Sequence, residues 1–393
     1  MTATPRKPRT LTRKERVDWL RLWRSDQVGP ITFDHMLRQY GTAEQAVRNL
    51  PAHAANAGVK QVGVCSRAAA ERELDAVERL GGRIIAVPEE DYPPQLRREP
   101  HAPRLLTVLG NAHLLRRPTI AIVGARNASS NGLSQARRLA AELAEAGYVV
   151  VSGLARGIDT AAHRGALIGG TVAVVAGGAD IVYPPENEAL HAQIVDMGAI
   201  VAEMPVGMKP QGRHFPRRNK IIAGMAVGTV VVEAATRSGS LITAKDAVGM
   251  NRDVFAVPGS PLDPRNDGTN SLIRSGAILA RNAADIIEEL APMSEIGVND
   301  PLDTVANDAG DTLFPENADA DSIEPIDPSM LSEVRHAVAT LLSPTPTPVD
   351  ELIRDCQFSP AEVHTVLSEM ELAGRAELVA GARVMLIKEP DVF

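Results

Sequence analysis

Six short apolar runs, separated by stretches of helical periodicity, constrain the fold of the central part of the chain. The runs are rich in valine, isoleucine and alanine and show no alternation with polar residues, which is typical of parallel strands covered on both faces. They are Thr119–Val123, Tyr148–Ser152, Thr171–Ala176, Ala199–Glu203, Gly228–Glu233 and Asp253–Val257. The pattern predicts an α/β fold with a doubly wound, mostly parallel sheet. Because such sheets bind ligands at the carboxyl ends of their strands, we expect the functional residues in the loops that follow the strands.

The 393 residues are too many for one ordinary domain, and the flanking segments have patterns of their own. Residues 1–10 are basic and proline-rich and predict a disordered arm, whereas residues 11–82 predict a small helical domain. We assign the sheet to residues 83–291. Residues 292–325 predict a disordered acidic linker. Residues 326–393 read as a helix, a helix-turn-helix and a short strand pair, the pattern of a winged-helix domain.

The net charge of −8 conceals an asymmetry along the chain. Residues 1–84 contain fifteen basic and nine acidic residues, whereas residues 291–325 contain nine acidic residues and neither lysine nor arginine. Residues 326–393 contain eleven acidic and five basic residues. We therefore expect the front of the protein to attract polyanions and the tail to repel them.

Several classes of protein are excluded by what the sequence lacks. No apolar run reaches the roughly 18 residues that a membrane span needs, and no apolar stretch follows the basic N-terminus as in a secretory signal. The two cysteines, Cys65 and Cys356, are too few for a disulfide scaffold or a multi-cysteine metal site. We expect a cytoplasmic protein without membrane contact and without a cofactor.

The first two strand-end loops each pair glycine with arginine. The first contains Gly124 and Arg126, and the second contains Ser152, Gly153 and Arg156. Glycine lets backbone amides approach an anion, and a helix N-terminus follows each loop. Two arginines meeting at one crevice repel each other unless an anion joins them. Neither loop fits a dinucleotide site, and the chain has no Walker loop, so we expect phosphates to be bound here without nucleotide hydrolysis.

The segment from residue 209 to residue 220 is the most informative part of the sequence. It holds five basic residues, and no acidic residue lies between Glu203 and Glu233. Cations that alternate with an aromatic ring match single-stranded nucleic acid, because the cations bind phosphates while the ring stacks on a base. The alternative is that the ring packs on its own helix and the charges are simply solvated. The candidate nucleic-acid-binding residues here are Lys209, Arg213, Phe215, Arg217, Arg218, Asn219 and Lys220.

The fifth strand-end loop supplies Ser238, Gly239 and Ser240 as further candidates for anion binding. Ser240 is predicted to be the N-cap of the helix after the fifth loop, and Asp159 is predicted to be the N-cap of the helix after the second strand. Capping alone would also explain why Ser238, Gly239 and Ser240 stand in this loop. No combination of serine, histidine and aspartate suggests a catalytic triad. His163, His191 and His214 are scattered, and Glu203 and Glu233 are catalytic candidates by position only.

Two elements outside the sheet have the form of DNA-binding motifs. The turn Gln27–Ile31 joins two helices and resembles a helix-hairpin-helix turn. A single hairpin with one glycine is weak evidence for DNA contact, and an αα-hairpin packed for stability is the simpler explanation. The second helix of the winged-helix pattern, Ser359–Gly374, carries three glutamates and no lysine or arginine. Phosphates would repel such a helix, so we predict that it binds protein, or the basic face of its own core, rather than duplex DNA.

Five motifs, in order along the chain, resemble those of the DNA processing protein A family, also called DprA or Smf. The resemblance covers residues 92 to 291. It rests on Ile122–Arg126, Val151–Asp159, Gly178–Asn187, Phe215–Gly224 and Val232–Thr243.

This resemblance implies an extended Rossmann fold, a homodimer, single-stranded DNA binding and loading of the RecA recombinase during natural transformation. It also implies that the N-terminal helical domain is like a sterile-alpha-motif domain and that the tail is a winged helix. Carried over by motif, the DNA pocket would contain Gly124, Arg126, Ser152, Gly153, Arg156, Phe215, Arg218, Asn219, Ser238 and Gly239.

Two other functions are weighed against this one. A related Rossmann group cleaves nucleoside monophosphates with a P-G-G-x-G-T-x-x-E loop, but the matching place here reads Glu233-Ala-Ala-Thr-Arg-Ser-Gly-Ser and lacks the catalytic glutamate. A nicotinamide oxidoreductase would need a dinucleotide site. We therefore expect a binding protein and not an enzyme, with a phosphoribohydrolase-like activity as the alternative.

Overall fold

The computed structural model describes residues 9–56, 59, 61–295, 328–342, 346–356, 358–379 and 383–387. Most of the expected basic arm and most of the expected acidic linker lie outside these residues. The chain divides into two compact units. One combines Leu11–Arg72 with the C-terminal domain, and the other contains the sheet.

The six predicted apolar runs each form a strand, in order along the chain, and the sheet contains three further strands, two before them and one after. The N-terminal helices are α1 (Arg13–Trp23), α2 (Pro30–Tyr40), α3 (Ala43–Asn56) and α4 (Arg67–Arg79). The strands of the sheet are β1 (Arg83–Ala86), β2 (Leu105–Gly110), β3 (Thr119–Gly124), β4 (Val149–Ser152), β5 (Thr171–Val175), β6 (Ala199–Ala202), β7 (Gly228–Val232), β8 (Asp253–Ala256) and β9 (Ile278–Leu279). Its helices are α5 (Pro94–Arg97), α6 (Ser130–Glu145), α7 (Ile158–Ala166), α8 (Glu188–Met197), α9 (His214–Met225), α10 (Gly239–Gly249), α11 (Asp267–Arg274) and α12 (Ala283–Glu295).

The sheet has the strand order β1-β2-β6-β5-β4-β3-β7-β8-β9. Strands β3 to β9 pair in parallel, whereas β1 and β2 add an antiparallel edge beside β6. The chain winds from β3 outward to β6 and then returns to β7 on the other side of β3. The predicted doubly wound α/β fold is thus confirmed, and its switch point lies at β3, where ligands of such sheets bind.

Successive residues of each central strand enter opposite layers of the core. Ile120 and Ile122 pack with α6, α7 and α12, whereas Ala121 and Val123 pack with α9 and α10. Both sets are buried to 4 % exposure or less. A strand covered on both faces has no solvent side for polar residues, which explains why the apolar runs do not alternate.

The other unit joins the N-terminal helices to the predicted winged helix. Trp19 and Trp23 pack edge-on against Phe33 of α2. The C-terminal domain contains α13 (Pro328–Leu341), α14 (Val349–Cys356), α15 (Pro360–Leu372) and a sheet of β10 (Thr347–Pro348), β12 (Arg383–Leu386) and β11 (Ala376–Val379), in that spatial order. Strand β10 is the addition to the expected strand pair. Helix α15, the expected recognition helix, packs against α2 and α3. Among the described residues, no helix combines the length and apolar character needed to cross a lipid bilayer.

Two buried histidines, His35 and His53, and the half-buried His364 make the stability of this unit depend on pH. Burial, together with the nearby His53 and Arg38, lowers the pKa of His35 to about 3, and burial also lowers the pKa values of His53 and His364. Each of these groups takes up its proton less readily in the folded state than in the unfolded state, where its pKa is about 6.5. The stability is therefore complete above that pH and is lost as the pH falls toward 3.

We expect His35 alone to cost the unit about 2 kcal/mol at pH 5 relative to pH 7.5. Both tryptophans lie in this unit, so urea unfolding followed by tryptophan fluorescence reports it selectively. A His35→Gln variant should lose part of the pH dependence, and a variant of the exposed His336 should retain it. Equal pH dependence in the two variants would contradict the assignment.

Candidate functional site

A crevice opens where the loops after β3, β4, β5 and β7 meet the N-terminus of α9. It consists of two concave regions of about 320 Å³ and about 680 Å³. Both are lined by Arg126, Phe215 and Arg218, so they adjoin along these side chains. The crevice lies at the carboxyl edge of the sheet, where the strand pattern places the ligand site.

Phe215 lies at the centre of the crevice and is half-buried. The guanidinium carbon of Arg126 lies 5.7 Å from the centre of its ring, and that of Arg218 lies 5.8 Å away. The exposed Tyr183 meets the same ring edge-on at 5.8 Å. An aromatic ring close to two guanidinium groups offers a stacking surface beside positive charge.

Arg218 differs from the solvated cation that the basic segment predicts. Its side chain is 8 % exposed and faces the buried carboxylate of Asp159 at 3.9 Å. Burial lowers the pKa of Arg218 despite Asp159, and burial raises the pKa of Asp159 despite Arg218. Gly153 allows this placement, since a Cβ there would lie 1.7 Å from Nη1 of Arg218. Among the described residues, the buried Nε of Arg218 has no hydrogen-bond partner.

The prediction that Asp159 caps the helix after β4 is wrong. Helix α7 begins at Ile158, and its N-cap is Gly157, whose φ of 77° suits glycine. The Asp159 carboxylate instead accepts hydrogen bonds from the amides of Gly153 and Ala155, both at 3.2 Å. The loop is therefore folded around a buried acid.

The two strand-end arginines are exposed but electrostatically unequal. Arg156 forms a 2.5 Å ion pair with the exposed Glu186. The expectation that the two arginines repel each other unless a bound anion joins them therefore does not hold for Arg156. Arg126 forms no ion pair with any acidic residue in the described part of the chain. Its positive charge is therefore available to a ligand in the crevice.

The N-terminus of α6 does not hold an external anion, because Glu233 occupies it. The carboxylate of Glu233 accepts a 2.8 Å hydrogen bond from the amide of Ser129 and another from its hydroxyl. Gly124 is needed for close packing, since a Cβ there would lie 1.9 Å from the carbonyl oxygen of Val232. Glu233 is 7 % exposed, and its carboxylate is occupied by the two hydrogen bonds from Ser129. It is thus poorly placed to act as a catalytic base.

The serines divide between structure and site. Ser152 is fully buried, donates a 2.6 Å hydrogen bond to the carbonyl of Ile122 and lines neither region of the crevice. Ser238, and not Ser240 as predicted, is the N-cap of α10. Ser238, Gly239 and Ser240 all line the larger region, and a Cβ on Gly239 would meet nothing within 4 Å. The N-terminus of α10 is therefore open to the crevice.

The structure brings most of the remaining candidates together and leaves four outside. Gly124, Gly153, Arg156 and Asn219 line one region or the other, alongside the residues already described. Besides Ser152, the candidates that line neither region are Lys209, Arg213, Arg217 and Lys220. Of these, Arg217 faces Glu203 at 3.7 Å.

Several residues of the crevice were missed from the sequence. Tyr183, Arg237 and Arg265 line the crevice but were not candidates. The first two lie within the family motifs and could have been found from them, whereas Arg265 lies outside the motifs. His163 is a positioning residue: its Nε2 accepts from the amide of Leu154 at 3.3 Å, and Nδ1 lies 2.7 Å from the hydroxyl of Thr171. Burial lowers the pKa of His163 to about 3, so the ring holds this loop in its neutral form. No cluster within the described residues could hold a metal ion.

Comparison with known proteins gives matches along most of the chain. Family models match in three places: "DNA recombination-mediator protein A" at residues 83–291, "DprA-like N-terminal HHH domain" at 13–76 and "DprA winged helix domain" at 324–382. Protein Smf of Escherichia coli is 36 % identical over 335 residues, which cover 83 % of this chain and 85 % of that protein. DNA processing protein DprA of Streptococcus pneumoniae is 43 % identical over 207 residues, covering 52 % and 73 %. The X-ray structure of the Streptococcus pneumoniae protein matches with a TM-score of 0.53 and 34 % identity, and the match covers 67 % of this chain and 98 % of that one.

Proposed function

The chain belongs to the DNA recombination-mediator protein A family, and from this we propose that its crevice binds single-stranded DNA. The observation that carries the proposal is the half-buried ring of Phe215, with the guanidinium carbons of Arg126 and Arg218 at 5.7 Å and 5.8 Å from its centre. The ring would stack on a base, while Arg126 and the open N-terminus of α10 would bind phosphates.

The arrangement favours a single strand over a duplex. A base in a duplex is stacked between its neighbours and cannot reach a ring inside a crevice, whereas an unpaired base can turn toward it. The two regions adjoin along Phe215, so linked nucleotides could continue from one into the other. A single mononucleotide would leave one region empty.

We further propose that the protein acts as a homodimer that protects single-stranded DNA and loads RecA recombinase on it during natural transformation and recombination. The support is membership of the family together with the names of the relatives, which are DNA processing proteins. We propose that it works by binding and not by catalysis. The matching loop lacks the catalytic glutamate of the phosphoribohydrolase alternative, and Glu233, a candidate by position only, is held by its contact with Ser129.

Replacing Arg126 with alanine tests the proposed phosphate contact. Each neutralised phosphate of a single strand contributes about 0.7 to the slope of log affinity against log salt. We expect Arg126→Ala to weaken binding of a fluorescent oligonucleotide and to flatten that slope by about 0.7, as measured by anisotropy at several salt concentrations.

The matched control is Arg164→Ala, which removes the same charge from an exposed position of α7 that lines neither region. It should leave both affinity and slope close to those of the wild type. A slope that Arg126→Ala leaves unchanged would argue against a phosphate at this side chain. Equal affinity of the wild type for single strands and for duplex would overturn the proposed preference.

A further inference from the structure

The turn between α1 and α2 is occupied by a carboxylate from the winged-helix domain. Helix α2 begins at Pro30, and its N-cap, Gly29, provides no side chain to bond the amides of the first turn. Oε2 of Glu371 accepts hydrogen bonds from the amide of Thr32 at 3.2 Å and from its hydroxyl at 2.7 Å. A negative charge at this position is stabilised by the helix dipole.

Gly29 permits the close approach of this carboxylate. A Cβ at residue 29 would lie 2.1 Å from Oε1 of Glu371. The backbone at Gly29 is extended, with φ −93° and ψ −177°, so the turn itself does not need glycine. The space that Gly29 leaves is thus filled by the carboxylate of Glu371, which lies 339 positions after Thr32 in the chain.

Further contacts along α15 hold the carboxylate in place. Glu369, whose side chain is 4 % exposed, forms a 2.6 Å ion pair with Arg335, and Arg335 also donates to the carbonyl of Asn56 at the end of α3. Ser368 lies 3.4 Å from the ring of His53. The contact of Glu371 is therefore part of an extended interface between α15 and the helices α2 and α3.

The charges of the two partners explain why an acidic recognition helix packs here. Residues 1–84 have six more basic than acidic residues, and residues 326–393 have six more acidic than basic residues. A basic surface that carries a hairpin turn suits the DNA backbone, and the winged-helix domain offers it negative charge instead.

We propose that Glu371 takes the place of a DNA phosphate in the turn Gln27–Ile31, so that the winged-helix domain masks a duplex-binding surface of the N-terminal module. The contact is autoinhibitory: a tethered carboxylate competes at high effective concentration with phosphates in solution. The proposal concerns a surface separate from the crevice, so it can fail while the crevice still binds single strands.

The test compares Glu371→Ala with Glu377→Ala in the full chain. Glu377 is an exposed glutamate of β11, so its variant makes the same change in charge in the same domain. With a 20-base-pair duplex of mixed sequence at low salt, we expect Glu371→Ala to bind at least about fivefold more tightly than wild type. One added phosphate contact should also steepen the salt slope by about 0.9. The control should gain no more than about twofold.

Gly29→Asp in the Glu371→Ala background puts a carboxylate back at the turn. Aspartate is a favoured N-cap, so this variant restores both the capping of α2 and the negative charge. We expect its duplex affinity to return to the wild-type value. A gain that persists in this double variant, or no gain over Glu377→Ala, would overturn the proposal.

Two measurements keep the result interpretable. Glu371→Gln removes the charge but keeps the shape of the side chain, and it should also bind the duplex more tightly; it replaces the alanine variant if circular dichroism shows that the latter is unfolded. Single-strand binding in the crevice should be unchanged by Glu371→Ala and reduced by Arg126→Ala, which separates this proposal from the proposed function.

Discussion

Replacing Asp159 with alanine is expected to destabilise the unit that contains the sheet by about 3–5 kcal/mol, because it leaves a buried guanidinium without its counter-charge. Asp159 is 4 % exposed and Arg218 is 7 % exposed, so solvent cannot compensate for the loss. The amides of Gly153 and Ala155 would lose their acceptor as well. The loop after β4 should therefore lose its shape along with its stability.

Urea unfolding followed by far-ultraviolet circular dichroism measures this effect. Tryptophan fluorescence would miss it, since Trp19 and Trp23 both lie in the other unit. The matched control is Asp196→Ala on an exposed face of α8, which should change the unfolding free energy by less than about 0.5 kcal/mol.

A double variant separates the buried charge from the lost hydrogen bonds. Adding Arg218→Met to Asp159→Ala removes the unpaired cation and should recover part of the stability. No recovery in the double variant would show that the charge is not the cause. A loss below about 1 kcal/mol in the single variant would contradict the buried pair itself.

The strands could be predicted from the sequence because their burial on both faces leaves a plain compositional mark. The loops at the carboxyl edge followed from the fold, since parallel strands bring their ends to one side. The burial of Arg218 also left a signal: Arg218, Ile221, Ile222 and Met225 have helical spacing and are all buried, whereas the neighbouring Arg217 is exposed. Charge composition alone treats the two arginines as equivalent.

Other features of the site had no local signal. Whether Ser238 or Ser240 caps α10 depends on the residue at which the helix starts, and both choices fit the same preference for serine. The inward turn of Asp159 depends on an arginine 59 positions later in the chain. The contact between Glu371 and Thr32 joins two domains that the sequence treats as separate. Such pairings are set by tertiary packing and not by pattern.

Phe215→Ala is expected to weaken binding of single-stranded DNA by about 1–3 kcal/mol, or roughly 5- to 150-fold, because one base loses its stacking partner. The ring carries no charge, so the slope of log affinity against log salt should stay at its wild-type value. This outcome is the opposite of that for Arg126→Ala, which should flatten the slope. Phe215→Trp should keep most of the affinity, since it retains an aromatic face.

The alternative, in which the ring serves only to position its neighbours, makes a different prediction. Arg126 and Arg218 both lie against the ring, so its loss would displace them and flatten the slope as their own removal does. An oligonucleotide with abasic sites decides between the two. If Phe215 stacks on a base, the wild type should lose affinity for the abasic strand by about as much as Phe215→Ala loses for the normal strand, and the variant should discriminate little between the strands. If removing the bases lowers the affinity of the wild type and of Phe215→Ala by the same factor, the ring stacks on none of those bases. The proposed single-strand site would then lose the observation on which it rests.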